Sequence, residues 1–176
     1  MTGIEIKDIT IIISGLITAV STLLAVVITN FFNLKLSKSN SEMQAKQKYA
    51  EQRIIKIEET YLLFEKWEVN FSNIYLHHLR CYSGKLNYNQ VLELTNKCDL
   101  MAPGEAQKLK MLILVHFPEL EENYKEVDLA RSKIAKFLCD PEKSKLRAKD
   151  FVIAQEAFEA TCYKFKKEIG SLAHRN

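Results

Sequence analysis

Two different patterns of apolar positions divide this chain. From Ile9 to Phe32 run 24 residues without one charged side chain, bounded by Glu5, Lys7 and Asp8 before and by Lys35 and Lys38 after. A bilayer core about 30 Å thick takes roughly 20 helical residues. Inside lipid the backbone must satisfy its own hydrogen bonds, so the run predicts a transmembrane helix despite its Ile, Val and Thr content. A cleaved secretory signal fits poorly. The leader carries acids, the run exceeds the roughly 7–15 apolar residues such signals use, and Val26–Asn30 offers no small-x-small site. A buried core helix also fits poorly, because few core helices of this length lack a charge on every face.

After residue 33 the continuous run gives way to helical spacing. Ile54, Ile57, Tyr61, Phe64, Phe71, Tyr75 and Tyr82 step by three, four or seven, and Ile55, Leu62, Val69, Leu76 and Leu79 run alongside. Together they predict one long helix over about 42–82. Its apolar face is broader than a two-stranded coiled-coil seam and is expected to pack against more than one helix. Trp67, between the two sets, is expected in the core, with a hydrophobic anchor for a partner as the alternative. Neither Gly nor Pro occurs from residue 16 to residue 83, so nothing there forces a break.

Ser83-Gly84-Lys85 ends that helix. Asn87 or Asn89 caps a short helix through Cys98. Pro103-Gly104 marks a loop. A helix follows from Glu105 to Phe117, with five consecutive apolar residues, Met111 to Val115, that suggest the most buried element. Pro118 opens the next helix, which runs to Cys139 with Glu119, Glu121 and Glu122 at its positive end. The last helix spans about Glu142 to Ala173. No alternating strand pattern appears after residue 33, and no repeat aligns. The predicted fold class is all-α: a single N-terminal transmembrane helix, a long helix, and an antiparallel cytoplasmic helical bundle. The divisions are a tail at 1–8, a transmembrane helix at 9–32, a basic juxtamembrane connector at 33–48 and a soluble bundle at 49–176. The connector is either a short flexible link or the first exposed turns of a continuing helix.

Charge sets the orientation. Lys7 alone precedes the span, whereas Lys35, Lys38, Lys46, Lys48, Arg53 and Lys56 follow it against Glu42 and Glu51. The positive-inside bias places the N-terminus outside and the bundle in the cytoplasm. The chain's formal net charge of +3 therefore belongs to the juxtamembrane stretch. There Lys35, Lys38, Lys46 and Lys48 suit anionic lipid headgroups, or serve the orientation alone. Within the span, Ser14, Gly15, Thr18, Ser21, Thr22, Ala25 and Thr29 form a stripe of small and hydroxylated residues. It predicts an association face and a homo-oligomer, unless each hydroxyl simply bonds back to its own helix.

The search for chemistry returns little. His77 and Cys81 have a workable two-ligand spacing, with Cys98 as a conceivable third, but no C-x-x-C accompanies them. Four cysteines without close pairing, on a cytoplasmic side, imply reduced thiols. No His follows a Glu by three, which argues against a di-iron bundle. H-E-x-x-H, G-x-S-x-G, a P-loop and G-x-G-x-x-G are all missing from the sequence. Lys143, Lys145, Arg147 and Lys149 fall on alternate positions and Lys164, Lys166 and Lys167 share the final helix, but Glu142, Asp150, Glu156, Glu159 and Glu168 are interleaved, a solvated mixed face rather than a nucleic-acid surface. The sequence therefore implies a non-enzyme with no cofactor and no metal. Its expected partners are the lipid bilayer, other copies of itself and a further protein. The expected role is protein contact at the membrane face as scaffold, sensor or regulator. The alternative is an effector whose oligomerised span perturbs the bilayer when the bundle is triggered.

Overall fold

The computed structural model describes residues 6–97 and 100–174, and all regular structure among them is helical. Helix α1 is Ile6–Tyr82, α2 is Tyr88–Lys97, α3 is Glu105–Met111, α4 is Glu121–Ala135 and α5 is Ala148–Ser171. Residues 33–48 are helical turns within α1. The chain forms two compact units, residues 1–51 and 52–176.

The first unit holds the apolar run. α1 is long and apolar enough to cross a membrane. Residues 11–50 of this helix are exposed, including every Ile, Leu, Val and Phe between Ile11 and Leu36.

The second unit is built on one apolar core. Ile57, Phe64, Trp67 and Tyr75 from α1 join Leu109 from α3, Tyr124, Val127 and Ile134 from α4, and Phe151, Phe158, Phe165 and Ile169 from α5. Rings dominate its centre. Phe64 stacks on Trp67 at 5.5 Å, meets Phe165 edge-on at 4.6 Å, and Tyr75 meets Phe158 edge-on at 5.4 Å. Each Phe or Trp removes a large apolar surface from water, and edge-on or offset pairs add to that gain. A second ring group, Tyr82, Phe137 and Phe151, closes the far end of α1.

The ends of the elements follow their local chemistry. Gly84 adopts φ +70°, which lets the Lys85 N–H reach the Arg80 carbonyl at 2.9 Å and stop α1. Asn87 caps α2: its Oδ1 accepts from the Gln90 N–H while Gln90 Oε1 accepts from the Asn87 N–H, both at 2.9 Å. Gly104, at φ +91°, precedes α3.

Four expectations need correction. Ile55, Leu62, Val69 and Leu76 do not join the core; they are exposed, while Ile57, Thr60, Phe64 and Trp67 face inward. A residue every seven stays on one side of a helix, so the two apolar sets of α1 lie on different sides. The run Met111–Val115 is not wholly buried either. A π-turn occupies Leu112–His116, with the Phe117 N–H bonded to the Leu112 carbonyl at 3.1 Å. The wide turn places Leu112, Ile113 and Phe117 inside and leaves Met111, Leu114 and Val115 in solvent. α4 ends at Ala135 rather than Cys139, in tight turns from Phe137 and Leu138 to the carbonyls of Ile134 and Ala135. α5 begins at Ala148 rather than Glu142. Asp140-Pro141 makes only one 3₁₀ turn, capped by Asp140 on the Glu142 N–H, and Ser144 then turns extended.

Candidate interaction surfaces

The predicted association face lies wholly in the first unit. Ser14, Gly15, Thr18, Ser21, Thr22, Ala25 and Thr29 are all exposed. Four of its hydroxyls turn back on their own helix. Ser14 Oγ donates to the Ile11 carbonyl at 3.0 Å, and Thr18, Thr22 and Thr29 donate to the carbonyls of Ser14, Thr18 and Ala25 at 2.8–2.9 Å. Such bonds satisfy the hydroxyl hydrogens without a partner helix. What the stripe still offers is low relief: a Cβ added at Gly15 would meet nothing. Lys35, Lys38, Lys46 and Lys48 are exposed on the same helix.

In the second unit, the apolar side of α1 that leaves the core is a surface the sequence pattern did not separate. Ile55, Leu62, Val69 and Leu76 are 61, 64, 43 and 45% exposed. Between them, at steps of three and four, stand Glu58, Glu65 and Ser72. Along the adjoining side, Lys66 Nζ bonds to Glu105 at 2.5 Å, and Glu59 pairs with Lys108, so α3 is pinned there by ions. A period of seven was legible in the sequence, but its side of the helix was not.

The titratable groups have structural explanations. Glu68 and Lys166, both largely buried, form an ion pair at 2.7 Å. Burial works against the Lys166 charge, but the Glu68 carboxylate prevails and holds the ammonium above its usual pKa. Burial pushes the Cys162 thiol and the Tyr75 hydroxyl up, and raises Tyr124 to about 12. These groups are therefore neutral at physiological pH and ill suited to nucleophilic work.

His77, His78 and Cys81 lie on the last turns of α1. Among the described residues no three His, Cys, Asp or Glu side chains gather as ligands, and Cys98 lies outside those residues. His78 is buried, edge-on to the Tyr88 ring at 6.2 Å, and its Nδ1 has no hydrogen-bond partner among the described residues. Cys81 lines an open groove of about 760 Å³ with Lys85, Asn87, Tyr88, Asp140 and Glu142. Burial first, and then the charges of Asp140 and Glu142, push its thiol up, the reverse of an activated cysteine.

No family model, curated protein or solved structure matches this chain. The surfaces themselves therefore carry the functional argument: an apolar helix in the first unit, and an apolar, acid-lined helix side in the second.

Proposed function

We propose that this is a single-pass membrane protein, N-terminus outside, whose cytoplasmic helical body acts by protein contact as a scaffold, sensor or regulator at the membrane face. One observation carries the reading: the uncharged run Ile11–Phe32 is helical and exposed along its whole length. Exposed apolar surface on that scale is not stable in water and needs lipid or protein around it. The lysines that follow the run support the orientation. The body is an antiparallel bundle in this reading. Arg53 reaches the Leu172 carbonyl at 3.3 Å while Glu68 meets Lys166, so residue numbers rise along α1 as they fall along α5. Low relief at Ser14, Gly15, Thr18 and Ala25 supports self-association of the span by close backbone approach. The alternative, an oligomer that perturbs the bilayer, draws less support, because the hydroxyls that would line a polar path are bonded to their own helix.

The test is fractionation with topology. The full chain should sediment with membranes, resist carbonate extraction, and float with lipid. A cysteine placed at Thr2 should react with an impermeant maleimide in intact cells, and one placed at Ser39 only after lysis. A dispersed monomer in the detergent-free supernatant, or the reverse labelling pattern, would overturn the proposal. Rapid depolarisation of expressing cells, lost on Thr18→Leu or Thr22→Leu, would establish the effector instead.

A further inference from the structure

The exposed side of α1 in the second unit has the layout of a coiled-coil seam. Residues 55, 58, 62, 65, 69, 72, 76 and 79 alternate steps of three and four, the spacing of a and d positions over three heptads. The a positions are Ile55, Leu62, Val69 and Leu76, all apolar and all exposed. The d positions are Glu58, Glu65, Ser72 and Leu79, and Leu79 is already packed partly against the core. The seam is about 32 Å long at 1.5 Å per residue.

This pattern says what can cover it. A second copy lying parallel would set Glu58 against Glu58 and Glu65 against Glu65 in the most desolvated layer, where like charges repel strongly. Among the described residues neither carboxylate forms a salt bridge: Lys66 and Lys166 pair with Glu105 and Glu68, and Glu65 contributes only a longer-range attraction to Lys166. A complementary helix would carry apolar residues opposite the a positions and Lys or Arg opposite the two glutamates. We infer that the outward seam of α1, Ile55 to Leu76, docks a basic amphipathic helix of about three heptads from a partner protein. The inference rests on the proposed contact role and names the chemistry of that contact. The acids at d give specificity by rejecting acidic and self-matched helices, while the apolar a positions supply most of the affinity.

The experiment uses the full chain in zwitterionic nanodiscs, with empty discs as the blank. The probe is a labelled synthetic peptide of about four heptads with Leu at a, Lys at d and neutral residues elsewhere. A matched peptide with Glu at d is the counter-probe. Saturable binding of the Lys peptide, weakened at least tenfold by Leu62→Glu and by Glu58→Lys/Glu65→Lys, is the expected result. The double charge reversal should then prefer the Glu peptide. Unchanged circular dichroism shows that the variants fold; Glu58 and Leu62 are exposed and Glu65 is half-buried. Equal binding of both peptides, or no saturable binding, overturns the inference. So does a dimer of the chain that Leu62→Glu disperses, since a second copy would then occupy the seam. Failure of the membrane reading shows separately, as failure of the chain to enter nanodiscs; the peptide titration then runs in free solution.

Discussion

Phe64 shows how much one side chain carries. It is fully buried, touching Trp67 and Phe165, and its phenyl ring sits where α1 and α5 meet. Phe64→Ala removes that ring from a closed core and leaves a cavity, so it should cost about 3 to 5 kcal/mol. Denaturant unfolding followed by circular dichroism checks this, and a loss under 1 kcal/mol would mean the core is not packed this way. His78 makes a second residue-scale prediction. Burial first, and then the neighbouring His77, lower its pKa below the ordinary value. The folded state therefore favours neutral imidazole, and the unfolded chain binds a proton more readily. Stability from this site is complete above the unfolded pKa of about 6.5 and is lost as pH falls toward the folded value. The melting temperature should drop between pH 7.5 and pH 5.5, and His78→Gln should flatten that slope. An unchanged slope would show that other groups dominate.

At the scale of elements, the Glu68–Lys166 pair joins α1 to α5 through a nearly dry contact. Removing one partner strands a charge. Lys166→Met alone should therefore destabilise by about 3 kcal/mol, and the double change Glu68→Leu/Lys166→Met should recover most of that loss. A double-mutant cycle of unfolding free energies measures the difference, and purely additive effects would show that the ions do not interact. The existence of the long helix was legible in its steps of three and four, and the Gly84 stop was legible too. Its two-sidedness was not. Both sets, Ile57/Phe64 and Ile55/Leu62, satisfy the same periodicity, and only the packing of α3, α4 and α5 decides which set is buried. The π-turn at Leu112–His116 escaped for a similar reason, since nothing in Leu-Ile-Leu-Val marks a widened turn. Pro118, which has no N–H to continue the ladder, opens the 3₁₀ turn that follows it.

For the whole molecule, lipid and self-association are decisive. Disulfide crosslinking of single cysteines stepped along residues 14–29 should give yields that rise and fall every three to four residues, highest at Ser14, Thr18, Ala25 and their neighbours on the small-residue side. A flat profile would mean that the span does not self-associate. Replacing Lys35, Lys38, Lys46 and Lys48 together with Gln should reduce binding to anionic vesicles, at about 1 kcal/mol per lysine near the surface. Binding unchanged in flotation would leave those lysines as an orientation signal only.

Sequence alone determined the properties that depend on composition along one line. A stretch with no charge from Ile9 to Phe32 is a one-dimensional fact, and so are the lysines behind it, the absence of Gly and Pro through residue 83, and the helical spacing afterwards. The back-bonds of Thr18 and Thr22 were legible only as the alternative to an association face, because their acceptors lie one turn away on the same helix. Tertiary structure decided everything that depends on what packs against what. It buried Ile57 and exposed Ile55, kept Leu112 inside and Val115 outside, paired Glu68 with Lys166, and left Cys81 beside two carboxylates. Periodicity defines the sides of a helix, but burial is a relation between helices distant in sequence, and no spacing within one of them encodes it.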